Sequence, residues 1–291
     1  MGKIAYITDS GCGHSINEMK ELGIFSLPLQ IAINGKNYFD IEKVTTVDVI
    51  KGLKEGSEMS TSLPSLGLID ELFKSLKANG YDRAIAVPIC PGLSGTMNAL
   101  YLAADQNDIQ LHCLDCGVTA VVEKYLIEYL KDEIENKGRN IREALDDAEK
   151  IVASCNTLLV PNDMHHLARS GRLSKTSATI ADFLLIKPIL SVSKRTEGKI
   201  IVETKTRTFK KALAKTLGMM KEDIQDEAYT VIITHVDSYG DALIFADDVK
   251  SALPNCRIEI IPLYNPVAIH TGLGCIAIQY FKELGSFDFM V

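Results

Sequence analysis

The 291 residues are enough chain for two domains, and 46% hydrophobic with 24% charged residues is the balance of a water-soluble globular protein. A formal net charge of −7 argues against nucleic acid as the principal partner, and no apolar run approaches the roughly 18 to 20 residues that a membrane helix needs. The first residues read as a strand interrupted by Asp9 and not as a secretion signal, so the protein is expected in the cytoplasm, without stable membrane insertion.

Short β-branched runs alternate with amphipathic stretches along the chain. The first strand is Ile4–Thr8. Leu29–Ile33 and Lys36–Phe39 flank Asn34-Gly35, a dipeptide suited to the two positive φ angles of a type I′ hairpin turn. The polar loop Met59–Ser65 leads into a helix over Leu66–Ala78. There follow a strand at Arg83–Pro88, a helix at Gly95–Asp105, a strand at Ile109–Leu114, helices at Val118–Lys137 and Ile141–Ser154, and a strand at Asn156–Val160. The second half opens with adjacent strands, Pro188–Val192 and Lys199–Thr204. It continues with helix Phe209–Ile224, strand Tyr229–Thr234, helix Gly240–Ala252, strand Arg257–Pro262 and helix Leu273–Leu284. This alternation predicts an α/β fold with an N-terminal, mostly parallel sheet flanked by helices over residues 1–160. A C-terminal α/β domain with a mixed sheet is expected over 161–291.

The seven cysteines have no disulfide-framework spacing. Cys155, Cys256 and Cys275 sit in apolar company, and Cys113-Leu114-Asp115-Cys116 is a lone C-x-x-C with no second ligand pair, so neither a metal nor a cofactor is expected. Residues 169–211 carry eleven Lys and Arg against three acids. That patch is either a solvated face or a dock for an acidic partner.

In open α/β sheets ligands gather where strands end and helices begin. Thr8-Asp9-Ser10, Pro91–Thr96, Asp115–Gly117 and Asn265–Gly274 follow strands, and the Met59–Ser65 loop precedes a helix. Three of these loops pair hydroxyls or glycine with a helix start, where free N–H groups and the helix dipole favour an anion. Ser94 and Thr61 could equally be simple caps. The loops contain no obligatory Arg or Lys, which suits a hydrogen-bonded carboxyl group better than a polyphosphate. Ser94 with His270 and Asp9 or Asp115 could form a hydrolase triad. The segment Gly92-Leu93-Ser94-Gly95-Thr96, however, lacks the last glycine of a nucleophile elbow, and neither a P-loop nor a dinucleotide fingerprint is present.

Six segments carry a resemblance. Ile7–Ser10, Thr61–Ser65, Leu93–Thr96, Arg169–Leu173, Ile186–Leu190 and His270–Gly274 are similar, in order and across essentially the whole chain, to motifs of the bacterial DegV family. The family includes the fatty-acid-binding subunits of fatty acid kinase. The resemblance implies two α/β domains with an acyl tunnel between them and a long-chain fatty acid as ligand. It also implies a carrier with no catalytic activity of its own, which presents the carboxyl group to the fatty acid kinase catalytic subunit for acyl-phosphate formation. On the matching positions, Thr61 and Ser94 would hydrogen-bond the carboxylate, Ser62, Gly95 and Thr96 would line the same pocket, and His270 would stand beside it. If protonated, His270 would also neutralise the carboxylate. Arg207 resembles an arginine that engages the kinase, which would give the basic segment a purpose. Leu63 and Leu273 depart from the family pattern, where Gln and Pro are usual. The apolar run Ile180–Ile189 could line the acyl chain or belong to ordinary core. A free-standing serine hydrolase or phosphoryl-transfer enzyme acting on acyl substrates is the alternative, and a regulatory protein for another apolar carboxylate is a third reading.

Overall fold

The computed structural model describes residues 2–169, 171–173, 186–284 and 289. Along the first half run β1 (Lys3–Asp9), α1 (Ile16–Glu21), β2 (Phe25–Leu27), β3 (Gln30–Ile33), β4 (Lys36–Phe39), α2 (Thr46–Glu55), β5 (Met59–Ser62), α3 (Leu66–Ala78), β6 (Tyr81–Ala86), α4 (Thr96–Gln106), β7 (Gln110–Cys113), α5 (Val121–Lys131) and α6 (Ile141–Ser154). The four strands β2-β1-β6-β7 form a wholly parallel sheet. Its inner strand β1 is buried on both faces from Ala5 onward, as a doubly covered sheet requires. Ala5 and Ile7 pack with Phe73 and Leu100 of α3 and α4, whereas Tyr6 packs with Tyr125 and Leu126 of α5. Because β2 and β6 lie on opposite sides of β1, the chain reverses its direction of growth there, and a crevice opens beyond the ends of β1 and β6.

A separate antiparallel sheet, β4-β3-β5, contains the hairpin. Asn34 and Gly35 have φ of 48° and 78°, the paired positive values the dipeptide suggested. The third strand of this sheet, β5, is the Met59-Ser60-Thr61-Ser62 stretch that had read as loop. Its pairing with β3 supplies the hydrogen bonds that its hydroxyl-rich sequence does not advertise.

The rest comprises β8 (Asn156–Val160), α7 (Met164–Arg169), β9 (Lys187–Val192), β10 (Ile201–Thr206), α8 (Phe209–Ile224), β11 (Thr230–His235), α9 (Tyr239–Ala252), β12 (Arg257–Pro262), α10 (Asn265–Thr271) and β13 (Ile276–Phe281). Its six-stranded mixed sheet runs β10-β9-β8-β13-β11-β12, so β8 belongs here and not with the parallel strands. One face is closed by α8 and α9 through Met220, Ile224, Phe245 and Val249, packed on Leu158, Val160, Val231, Ile233 and Ile278. The opposite face looks toward the first half of the chain.

Two readings of the sequence are corrected. Leu273–Leu284 is not a helix: the helix is α10, opened by Pro266 in its first turn, and the residues after it form the central strand β13. All six β13 residues are buried, so the strand shows no polar alternation. A short continuous apolar run cannot be told from a buried helix by period alone. The helix expected from Val118 starts at Val121, after Ala120 adopts φ 72°, and closes with a π-type turn at Asp132–Asn136. Three further helices, α1, α2 and the six-residue α7, have no counterpart in the sequence reading. α1 and α2 begin at capping boxes, Ser15 with Glu18 and Thr45 with Asp48. The distal half of the Ile180–Ile189 run enters β9, and residues 180–185 lie outside the described residues. Among the described residues no helix is long and apolar enough to cross a membrane.

Candidate functional site

Successive residues of a strand point to opposite faces, so the residues that alternate with the helix-covered set line the other side of the mixed sheet. They form cross-strand rows. Thr234, Ala277 and Leu159 make one row, and Ile232, Gln279, Thr157 and Val192 make the next. These rows are one wall of a cavity whose unfilled space, with the solvent at its mouth included, is about 930 Å³. The facing wall comes from the first half: Leu29 beside β3, Thr61, Ser62 and Leu63, Ile89, Leu93 and Ser94 after β6, and Thr119, Ala120 and Val121 at the start of α5. Leu263, Pro266, Val267 and His270, on and before α10, close one end. The lining is mostly apolar; its charge and the hydroxyls of Thr61, Ser62 and Ser94 lie at that end, while Thr119, Thr157 and Gln279 lie deeper.

Thr61 and His270, 209 residues apart, meet there: Thr61 Oγ1 and His270 Nε2 are 2.7 Å from each other. In β5 Thr61 is half-buried, while Ser62, exposed at the rim of the cavity, accepts a hydrogen bond from Gln30 Nε2 at 3.3 Å. Ser94 Oγ lies 2.8 Å from Thr96 Oγ1 and accepts from the Thr96 amide at 3.3 Å. Thr96 is buried behind Ser94, orienting it, and Gly95 caps α4 with its backbone at the surface. Thus Thr61, Ser62, Ser94 and His270 line the cavity, and Gly95 and Thr96 form the support behind Ser94. Neither Thr61 nor Ser94 serves as a cap: Ser65 and Gly95 hold the N-cap positions of α3 and α4, with no side-chain cap bond. Arg207 is exposed after β10 and lies outside the cavity lining.

A cation is nevertheless present. Arg172 lines the cavity and donates from Nη1 to the Leu93 carbonyl, next to Ser94. It belongs to the Arg169–Leu173 motif, which sits far in sequence from the strand-end loops and so was not weighed with them. Arg172, Thr61 and His270 also line a polar depression on the outer side, together with His166, Ser57, Glu58 and Ser60. The three side chains therefore stand between an apolar cavity and a polar one. Burial first, and then the Arg172 charge, push the His270 pKa down to about 4. Its ring is neutral near pH 7, so the positive charge at this end comes from the guanidinium and not from the imidazolium.

A base held below its unfolded pKa stabilises the fold above that value and loses its contribution as pH falls through the folded value. His270 should therefore cost the protein up to about 3 kcal/mol between pH 6.5 and pH 4. A His270→Gln variant is expected to lose less stability than the parent over that interval in urea titrations. Parallel losses would show that the ring is not buried as described.

Behind the cavity wall lie three buried carboxyls. Asp9 accepts from the amides of Gly11 (2.8 Å) and Ile89 (3.0 Å). Glu123 accepts from the Ala120 amide (3.1 Å) and hydrogen-bonds Asp9. Asp40 accepts from Ser10 Oγ (2.7 Å) and from Asn265 Nδ2 (2.9 Å), tying the first residue of α10 to the first half of the chain. Burial raises Asp9 to about 7 and Asp40 to about 6, and burial beside Asp9 raises Glu123 well above the carboxylate range. Glu123 keeps its proton beside Asp9.

This hydrogen bonding leaves no serine-hydrolase relay among the described residues. His270 is engaged by Thr61, Ser94 by Thr96 and Asp9 by backbone amides, while Asp115 accepts from Gly117 N and pairs with Lys194 at 2.8 Å.

A family profile described as "Uncharacterised protein, DegV family" matches residues 3–283. A DegV domain-containing protein of Streptococcus pyogenes serotype M3 is 28% identical over 277 residues, covering 94% of this chain and 97% of that protein. Among solved structures, a fatty acid binding DegV family protein from Streptococcus agalactiae superposes with a TM-score of 0.88 at 26% identity, covering 98% of this chain and all of the other. DegV, a fatty acid binding protein from Bacillus subtilis, gives 0.85 at 21% identity, covering 97% of this chain and 100% of its own.

Proposed function

This chain belongs to the DegV family, and from that premise we propose that it is a non-catalytic carrier of one long-chain fatty acid. The acyl chain lies between the two halves, and the carboxyl group is presented to a fatty acid kinase for acyl-phosphate formation. The observation that carries this reading is the polarity of the cavity. A long apolar space ends at Thr61, Ser94, Arg172 and His270, and three of those four also face a polar depression. Only an amphiphile with one compact acidic head matches both parts. About fifteen methylenes at ~0.8 kcal/mol each give a gross transfer term near ~12 kcal/mol, and ordering and association costs take back much of it. Chain burial supplies affinity, and the polar end fixes which way the ligand lies.

At the head, the Thr61 and Ser94 hydroxyls donate to the carboxylate, and Arg172 balances its charge. The neutral His270 orients Thr61. A carboxylate so held keeps one oxygen toward the outer depression, where a phosphoryl donor can be attacked. The ATP site and the phosphoryl-transfer groups belong to the kinase, and the exposed Arg207 within the basic segment is the anchor for it. The family's fatty-acid-binding structures support the ligand, and the partner follows from the family resemblance.

The test is mass spectrometry of an organic extract of the freshly purified protein. A stoichiometric fatty acid is expected, with no turnover of chromogenic acyl esters or of ATP by the protein alone. Adding a fatty acid kinase catalytic subunit and ATP should yield acyl phosphate, and Arg207→Ala should reduce that yield without displacing the fatty acid. An empty extract together with failure to take up palmitate or oleate would remove the proposal.

A further inference from the structure

The cavity wall is not uniformly apolar along its length. Two rows of the mixed sheet face it, and the row farther from α10 contains Gln279 and Thr157 side by side. Since α10 joins the β12 and β13 ends beside Thr234 and Ala277, that row lies one strand repeat deeper, about 6 to 7 Å farther from the carboxyl end.

Gln279 has its hydrogen bonds spent. Its amide oxygen accepts from Val122 N (3.1 Å), and Nε2 donates both to the Thr119 carbonyl (2.8 Å) and to Thr157 Oγ1 (2.9 Å). Thr157 is different. Its oxygen accepts from Gln279, and among the described residues nothing accepts its own proton. β8 is an inner strand, and its neighbours Leu158 and Val160 face the helices. The partial exposure of Thr157 is therefore exposure to the cavity. Valine has the same shape and a stronger preference for such a strand. A hydroxyl whose proton is unmet in an apolar space is costly unless something arrives to accept it.

We propose that Thr157, held in place by Gln279, is a second polar subsite that selects acyl chains carrying an oxygen within the chain, such as a mid-chain hydroxyl. The inference rests on the fatty-acid reading above and narrows it to a ligand class. A saturated chain passes Thr157 without meeting its donor, whereas a hydroxyl at the matching carbon accepts it and recovers the cost of leaving water. A hydroxyl at any other position is buried without a partner.

The experiment is displacement of a fluorescent fatty acid from the purified protein by stearate and by a positional series of monohydroxystearates. One mid-chain isomer is expected to bind at least as tightly as stearate, with the remaining isomers weaker by about tenfold. Thr157→Val should weaken the preferred isomer about fivefold to tenfold relative to stearate. If every isomer binds more weakly than stearate, the donor is serving a bound water and the subsite is overturned. A preference that survives Thr157→Val overturns it as well. Failure of stearate and all isomers alike to bind would overturn the carrier reading and, with it, the subsite.

Discussion

Ala277→Phe is expected to abolish uptake of palmitate while leaving the fold intact. Ala277 lies mid-wall on β13, between Thr234 and Leu159, and its methyl points into the cavity. A phenyl ring there enters space that the ligand would fill and not the packed side of the sheet, where Ile278 meets α8 and α9. If it displaces roughly four methylenes at ~0.8 kcal/mol each, the loss is about 3 kcal/mol, or more than hundredfold in affinity. Ala277→Leu should give an intermediate loss. Isothermal titration with palmitate, alongside circular dichroism of the variants, measures both parts. Undiminished binding to a folded Ala277→Phe protein would show that the acyl chain lies elsewhere.

The second large effect concerns the carboxyls behind the wall. Asp9→Ala should destabilise the protein by about 3 to 5 kcal/mol, because it leaves the Gly11 and Ile89 amides without an acceptor and Glu123 without its partner. Asp9→Asn keeps the size and one acceptor, and should cost less. The two variants also separate packing from titration. Asp9, Asp40 and Glu123 all have folded pKa values raised above those of an unfolded carboxyl, which is near 4. Between that value and pH 6 to 7 the folded state binds more protons, so these groups lend stability below pH 4 and lose it as pH rises toward 7. His270 slopes the opposite way in the same range. Chemical denaturation across pH 4 to 7 should therefore show Asp9→Asn with a shallower acid-side advantage than the parent. An unchanged profile would mean that Asp9 is ionised throughout.

Some of this could be read from residues alone. Asn34-Gly35 dictated its turn because few residues tolerate two successive positive φ angles. Three strands of the parallel sheet, β1, β6 and β7, announced themselves as β-branched or apolar runs, whereas the three residues of β2 are too few to do so. The hydroxyl loops pointed to the end of the cavity because strand ends beside helix starts are where open α/β sheets bind ligands. Other features depend on contacts that no local window contains. β5 is a strand only because β3 is beside it, and its Ser and Thr content reads as loop. β13 is buried on both faces, which removes the alternation that would have marked it as a strand. Arg172 reaches the carboxyl end from a segment with no strand-end signature, and its charge adds to burial in keeping His270 neutral. The Thr157 donor is visible only once the register with Gln279 is known.

The placement of β13 bears on how the protein is made. It is the last strand among the described residues, yet it sits in the middle of the mixed sheet between β8 and β11. During synthesis β8 and β11 emerge without their shared neighbour, and each must leave an edge open until residues 276–281 arrive. Open apolar edges invite pairing with other chains. The nascent protein is thus most vulnerable to aggregation just before β13 emerges. The cavity wall, to which β13 contributes Ala277 and Gln279, closes only once this strand is in place. A ribosome stalled shortly before it would hold a chain whose two sheets are largely made and whose cavity is still open along one side.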